Sequence, residues 1–241
     1  MNGVFIVFEG GEATGKTTQL KLLAKELQVR GKRVVYAMED GSDEDRLAFR
    51  ALVADRCDVV VTKQPYYKRF RDRVQHEELS PLEQAHIFLH DRKTHIGIWI
   101  RPAVTRGKIV LCDRFSPSTF AYQCAGRRLD LIAVMEWDRW VRGATKGEEG
   151  IVHDGIWPDR IVLLDGDPRK LHVRLASRGE KLTAFEKLGM DFHERVRTSF
   201  LEQARQDPER WRVVNAEQGA ENVFADVLAG LESLLSNPET P

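Results

Sequence analysis

Eight consecutive residues near the N-terminus, Gly10-Gly11-Glu12-Ala13-Thr14-Gly15-Lys16-Thr17, are of the types that hold polyphosphate. Gly10 and Gly15 let the backbone turn with its N–H groups inward, at the positive end of whatever helix follows. Lys16 adds a mobile point charge for β- and γ-phosphates. The Thr17 hydroxyl is the kind of ligand magnesium accepts while keeping most of its waters, and Thr18 continues the first helical turn. A glycine-rich turn can also serve structure alone, so the flanks decide. Before the loop runs a series of β-formers, Val4-Phe5-Ile6-Val7-Phe8; after it Leu20, Leu23, Ala24 and Leu27 recur at helical spacing. Strand, loop and helix in that order predict a nucleoside triphosphate site.

Such a loop is shared by GTPases, ATPase motors and small-molecule kinases, and a second constellation separates them. Asp113-Arg114 closes the apolar run Lys108-Ile109-Val110-Leu111-Cys112, at the carboxyl end of a buried strand where ligands of open α/β sheets collect. The aspartate can order a magnesium shell or an acceptor oxygen. The arginine can bridge two phosphates about to exchange a phosphoryl group. Ser118, Tyr122 and Gln123 follow on consecutive helical turns, setting a hydroxyl, a ring and an amide beside that arginine.

These residues need elements to position them. The 241-residue chain is 42% hydrophobic with zero formal net charge, which suits one α/β core and gives no global reason to bind nucleic acid or an anionic membrane. No apolar run reaches the roughly 18 residues of a membrane span, and the N-terminus enters a strand directly, so a cytoplasmic protein is expected. Cys57, Cys112 and Cys124 are odd in number and lack zinc-ligand spacing, which makes them reduced packing residues. Strands are expected near 34–36, 58–62, 108–112, 160–164 and 211–215 in addition to the first, alternating with helices. Ser80-Pro81 with Glu83 marks one helix start, and 220–235 reads as a closing amphipathic helix. Such alternation predicts a parallel sheet covered on both faces.

Taken together, FEGGEATGKTTQ, SPLEQAHIFLHDRKTH, IRPAVTRGKIVLCDRFSPSTFAYQ and PDRIVLLDGDP, with Arg174 and Arg178 beyond, resemble the thymidylate kinases among the P-loop nucleoside monophosphate kinases. The pieces fall in family order over about residues 4 to 215. The resemblance implies a single α/β domain over 1–241, with a five-stranded parallel sheet of the P-loop NTPase type, helices on both faces and a helical lid at about 174–192. It implies transfer of a phosphoryl group from ATP, with Mg2+ at Thr17 and Asp113, to a deoxypyrimidine monophosphate, dTMP foremost. By the same resemblance, Glu12 approaches the sugar 3′-hydroxyl, Phe88 stacks on the pyrimidine and Arg92 clamps the acceptor phosphate. Tyr122 crowds the 2′-position, Gln123 meets the base edge, and two copies form a homodimer. Ala13 and Thr14 are neutral where a loop cation could stand, so the catalytic positive charge is expected from the lid, at Arg178 with Arg174 as partner.

One segment departs from the pattern. The family's Arg-Glu-Pro-Gly-Gly-Thr stretch has no counterpart in spelling. The preferred register sets Thr62-Lys63-Gln64-Pro65 against it, making Lys63 and Pro65 substrate residues and about 37–58 an insertion. A second register uses Met38 to Ser42. Lysine for a forked arginine is not a conservative exchange, so a related acceptor such as dUMP or a modified deoxypyrimidine monophosphate stays open, as does a non-catalytic nucleotide-binding regulator.

Overall fold

The computed structural model describes residues 3–37, 43–146, 152–153, 155–177 and 182–236. β1 (Val4–Gly10) leads through the glycine loop to α1 (Lys16–Val29), β2 (Val34–Ala37), α2 (Asp43–Val53) and β3 (Val59–Lys63). Next come α3 (Lys68–His76), α4 (Pro81–His95), a π-helical segment Ile96–Ile100, α5 (Arg101–Thr105) and β4 (Ile109–Asp113). α6 (Ser116–Thr119) widens into a second π segment, Phe120–Gly126, before α7 (Leu131–Val141) and two short strands, β5 (Thr145–Lys146) and β6 (Val152–His153). β7 (Arg160–Asp165), α8 (Pro168–Ser177), α9 (Met190–Gln206), β8 (Trp211–Asn215) and α10 (Ala220–Leu235) complete the chain.

The main sheet runs β2-β3-β4-β1-β7-β8 with every pairing parallel. Its strands are β-branched and aromatic, and in β1 every residue is buried, as a sheet covered on both faces demands. Alternation sends Ile6, Phe8, Val59, Val61, Ile109 and Leu111 toward α1 and α10. Phe5, Val7, Val60, Val110 and Cys112 face the α4–α5 side with Trp99 and Ile100. Toward the other end, Phe192, Val196 and Phe200 of α9 pack on Ile161 and Leu163. All three cysteines are buried and free.

The structure corrects the expected strand count, since the main sheet has six strands rather than five. The five came from the resemblance; the six strands lie where the residue patterns place them, with β2 at the edge beside β3 and α2 crossing between the two. The chain around the expected insertion therefore extends the sheet, leaving β3 beside β4 with Lys63 in register with Asp113. Two further elements were not anticipated: α9, which begins at the end of the expected lid and runs on to Gln206, and the antiparallel β5–β6 pair between α7 and β7. At α4 the expected start holds in full. Ser80 accepts from the Glu83 backbone, Glu83 reaches back to the Ser80 N–H, and Pro81 opens the helix.

Candidate active site

Backbone geometry builds the phosphate cradle. At Gly10 the chain runs so close to β7 that a Cβ would lie 2.5 Å from the Leu164 carbonyl oxygen, and φ is +143°. Gly15 caps α1 at φ +86°. Both positions exclude side chains for physical reasons that have nothing to do with helix or strand preference. Lys16 is buried and folds over the loop, its Nζ donating to the carbonyls of Gly11 at 2.7 Å and Gly10 at 3.2 Å. Burial, seconded by the Arg114 charge, brings its pKa down to about 8, against the opposing pull of Glu12, Asp113 and Glu9. Thr17 donates from Oγ1 to Asp113 Oδ2 at 2.7 Å, which sets two hard oxygen donors side by side at the loop's mouth.

Arg114 joins this cradle to a neighbouring cleft. Its backbone sits at φ +72°, just past the end of β4. Nη1 donates to the Gly10 carbonyl and to Ser118 Oγ, each at 3.0 Å; Nη2 donates to Glu12 Oε1 at 3.0 Å and Tyr122 Oη at 3.1 Å. Tyr122 in turn donates to Glu12 Oε1 at 2.7 Å. Burial pushes the Glu12 carboxyl upward, but the Arg114 and Lys16 charges and the Tyr122 hydroxyl outweigh it and hold its pKa below the ordinary value. Burial raises the Tyr122 hydroxyl well above its usual range, so it stays a donor at neutral pH.

The cleft has a volume of about 230 Å³ and runs from Glu12, Arg114 and Ser118 to Gln64, Pro65, Arg92 and Gln123, with Phe88, Tyr122 and Phe185 among its walls. Arg92 is 2% exposed and anchored by three bonds: Nε to Gln64 Oε1 at 3.0 Å, Nη1 to Asp138 Oδ1 at 2.7 Å, and Nη2 to Thr119 Oγ1 at 2.8 Å. Asp138 also accepts from Arg142 Nε at 2.6 Å. The Gln64 amide nitrogen meets His95 Nδ1 at 3.2 Å, and His95 Nε2 meets Thr62 Oγ1 at 2.7 Å. With the Gln64 oxygen committed to Arg92, its nitrogen donates to Nδ1, so the imidazole proton is on Nε2 and points at Thr62. Burial, with help from the Arg92 charge, takes His95 down to about 3 and keeps it neutral. Gln123 presents a different picture. Its Nε2 is buried with no hydrogen-bond partner, in a residue that lines the cleft.

The thymidylate kinase family model matches residues 8–227. A thymidylate kinase of Bifidobacterium longum is 32% identical over 234 residues, covering 97% of this chain and all of that one. One from Clavibacter michiganensis subsp. michiganensis is 34% identical over 236 residues, with 98% of each covered. The crystal structure of thymidylate kinase from Ehrlichia chaffeensis superposes with a TM-score of 0.65 at 24% identity, over 96% of this chain and 99% of that one, and shares its fold. The chain belongs to the thymidylate kinase family. It is thus an ATP-using phosphotransferase of the nucleoside monophosphate kinase group.

Against that family, the residues singled out in the sequence fall into three groups. Gly10 through Thr17, Asp113, Arg114, Ser118, Phe88, Arg92, Tyr122, Gln123 and Pro65 come together at the cradle and cleft. Lys63 does not line the cleft, which corrects the expectation for it: strand alternation sends it to the α1 face beside Asp113, while its neighbour Gln64 faces Arg92. Arg174 donates to the carbonyls of Ala216 at 2.7 Å and Glu217 at 2.9 Å, on the turn between β8 and α10. Arg178 and the second register at Met38 to Ser42 lie outside the described residues. Gln64, Thr119, Arg71 and Phe185 also line the cleft and were not anticipated. Arg71 was legible only as one cation among several in 66–73; in the fold its Nη1 donates to the Pro65 carbonyl at 2.7 Å, which brings it to the cleft wall. Phe185 comes from the lid segment and meets Tyr122 edge-on at 5.4 Å and Phe88 at 6.4 Å.

Proposed function

We propose that this chain transfers the γ-phosphoryl of ATP to the 5′-phosphate of dTMP, with the cradle holding the donor and the cleft the acceptor. The observation that carries this reading is the placement of Arg114, one guanidinium bonded at once to the loop carbonyl of Gly10 and to Glu12 and Tyr122 in the cleft. An acceptor phosphate and a γ-phosphate sharing that fork are brought within reach of one another. The attacking phosphate oxygen is already ionised, so alignment and charge neutralisation do most of the work and no strong general base is required. Lys16 binds the donor phosphates. Thr17 and Asp113, two adjacent oxygen donors of the kind Mg2+ takes, would hold that ion, which neutralises phosphate charge when bound.

Arg92 is assigned here to the base rather than to the acceptor phosphate. It is bonded to Gln64 and Thr119, which line the cleft as Gln123 does, and to the buried Asp138, whereas Arg114 is the guanidinium bonded to the loop. Three of the five guanidinium N–H donors are taken, which leaves donors for a base carbonyl. Arg92 and the open Gln123 amide nitrogen present N–H groups, so they favour a base with carbonyl oxygens, thymine or uracil, over one presenting an amino group. Phe88 stacks on that base, Glu12 takes the sugar 3′-hydroxyl, and the Tyr122 ring excludes a 2′-hydroxyl.

Because Ala13 and Thr14 supply no charge, the lid at about 174–192 provides the cation for the transferred group, and Arg178 is the residue assigned to it. Arg174, whose guanidinium donates to the Ala216 and Glu217 carbonyls of the β8–α10 turn, is assigned as its partner. The expected setting is a cytoplasmic homodimer. Leu82 of α4 and Leu131, Ile132, Trp137 and Trp140 of α7 form the apolar surface through which two copies would pack. No helix among the described residues is long and apolar enough to cross a membrane.

ADP release measured over a panel of deoxy- and ribonucleoside monophosphates tests the reading. Turnover is expected to be fastest with dTMP, with dUMP next. Absence of turnover with every monophosphate would end the kinase assignment, and preference for a ribonucleotide would end the role given to Tyr122. An Arg178→Ala protein that keeps most of its kcat removes that arginine from the mechanism.

A further inference from the structure

Glu9 has no role in the reaction as described, yet it is completely buried at the end of β1, immediately before the loop. Burial lifts its carboxyl to about 7, an unfavourable situation only partly relieved by Arg114, Ser118 and the Phe115 N–H. Its contacts all lead toward one place. Oε1 accepts from the backbone N–H of Phe115 at 2.8 Å and of Ser118 at 3.3 Å; Oε2 accepts from the Ser118 hydroxyl at 2.6 Å. Ser118 Oγ accepts from Arg114 Nη1 at 3.0 Å.

A serine hydroxyl has one proton and two lone pairs. Donating the proton to Glu9 leaves the lone pairs for Arg114, and the carboxylate's charge strengthens Oγ as an acceptor. The same carboxylate ties down the chain just after Arg114, at Phe115 and Ser118, and Arg114 itself stands at φ +72°, where a residue with a side chain is strained and needs its surroundings to hold it. We infer that Glu9 is a positioning residue for phosphoryl transfer, acting through the Ser118 hydroxyl to aim the Arg114 fork at the two phosphates. This rests on the role given to Arg114 above.

Glu9→Gln keeps the shape but not the hydrogen-bond polarity. Its single oxygen can still accept from the Phe115 and Ser118 N–H groups, but its nitrogen can only donate, which strands the Ser118 proton and removes the charge. Steady-state kinetics of Glu9→Gln, Ser118→Ala and the double variant, with melting temperatures for each, test the relay. Glu9→Gln is expected to lower kcat/KM for dTMP about tenfold or more, the scale of one charged hydrogen bond. The KM for ATP should move much less than that for dTMP, since the loop N–H groups and Lys16 also hold the donor phosphates, whereas Arg114 is the only cation assigned to the acceptor phosphate. Adding Glu9→Gln to Ser118→Ala should cost little more than Ser118→Ala alone.

Losses that multiply, an unchanged kcat/KM for dTMP, or equal damage to both substrates would overturn the relay. If Glu9→Gln does not fold, Ser118→Ala decides: the same loss confined to dTMP sustains the inference, and wild-type kinetics refute it. Wild-type turnover of dTMP is the control that tests the functional reading itself, so the two failures are told apart.

Discussion

The glycine loop to which the donor is assigned and the cleft to which the acceptor is assigned are built by opposite means. The cradle is a contiguous run of backbone: glycines at φ +143° and +86° shape it, and its lysine bonds to its own loop carbonyls. The cleft is a convergence of side chains from the glycine loop at Glu12, the turn after β3, α3, α4, the turn after β4, α6, the π segment and the lid. Its polar groups reach one another across 28 to 46 positions of sequence, as Arg92 does to Gln64 and Asp138. A triphosphate is the same for every nucleotide, and a backbone nest suffices for it. A base must be told from other bases, which takes donors and acceptors at fixed points, each held by further groups.

This contrast can be broken by experiment. Lys16→Ala removes the loop's own cation and should lower kcat by about 10³-fold while leaving dTMP binding nearly unchanged, as read by kinetics beside equilibrium titration. Comparable loss of dTMP affinity would mean that the two halves are one electrostatic unit. The buried supports of the cleft offer a second test, through pH. His95 is held neutral with a pKa near 3 against about 6.5 when unfolded, so its contribution to stability is complete above pH 6.5 and falls away as pH drops toward 3. At pH 5 that loss is about 2 kcal/mol relative to pH 7.

Glu9 and Asp91, raised by burial to about 7 and 6, titrate with the opposite sign over an overlapping range. The effect is therefore read as the difference in denaturant stability between wild type and His95→Gln across pH 7 to 5. Parallel pH profiles for the two proteins would remove the assigned buried state of His95. The smallest expected change sharpens the assignment of the base end. Gln123→Leu deletes a buried amide whose nitrogen has no partner, so melting temperature should hold or rise while KM for dTMP rises about tenfold and KM for ATP does not move. An unaltered KM for dTMP would make Gln123 a packing residue.

The same division governs how far each part was legible before folding. The cradle was readable in full, because its parts are adjacent in the chain and its flanks show their own periods. In the cleft, Ser118, Tyr122 and Gln123 were legible by their spacing after Asp113-Arg114, Phe88 and Arg92 came through family resemblance, and Lys63 was chosen where its neighbour Gln64 lines the cleft. That error follows from strand geometry: successive side chains leave opposite faces, and a spelling match has no face. α9 shows another failing. Phe192, Val196, Phe200 and Ala204 recur every four residues and are buried, a helical signal that the surrounding charges concealed. Phe185 lacked any signal, since a single phenylalanine in a polar stretch shows nothing of the rings it will meet.

Sequence alone determined the phosphate loop, the alternation of strands and helices, the helix start at Ser80 and the family, because each is a local pattern or a set of such patterns in order. Only the tertiary structure decided that β2 takes the sheet edge beside β3, that Arg92 is tied to Gln64 and Asp138, and that Glu9 stands behind Ser118 and Arg114. Those depend on which distant groups share a desolvated space. In such a space an unpaired donor or charge is costly enough that partners are selected by three-dimensional proximity rather than by position in the chain.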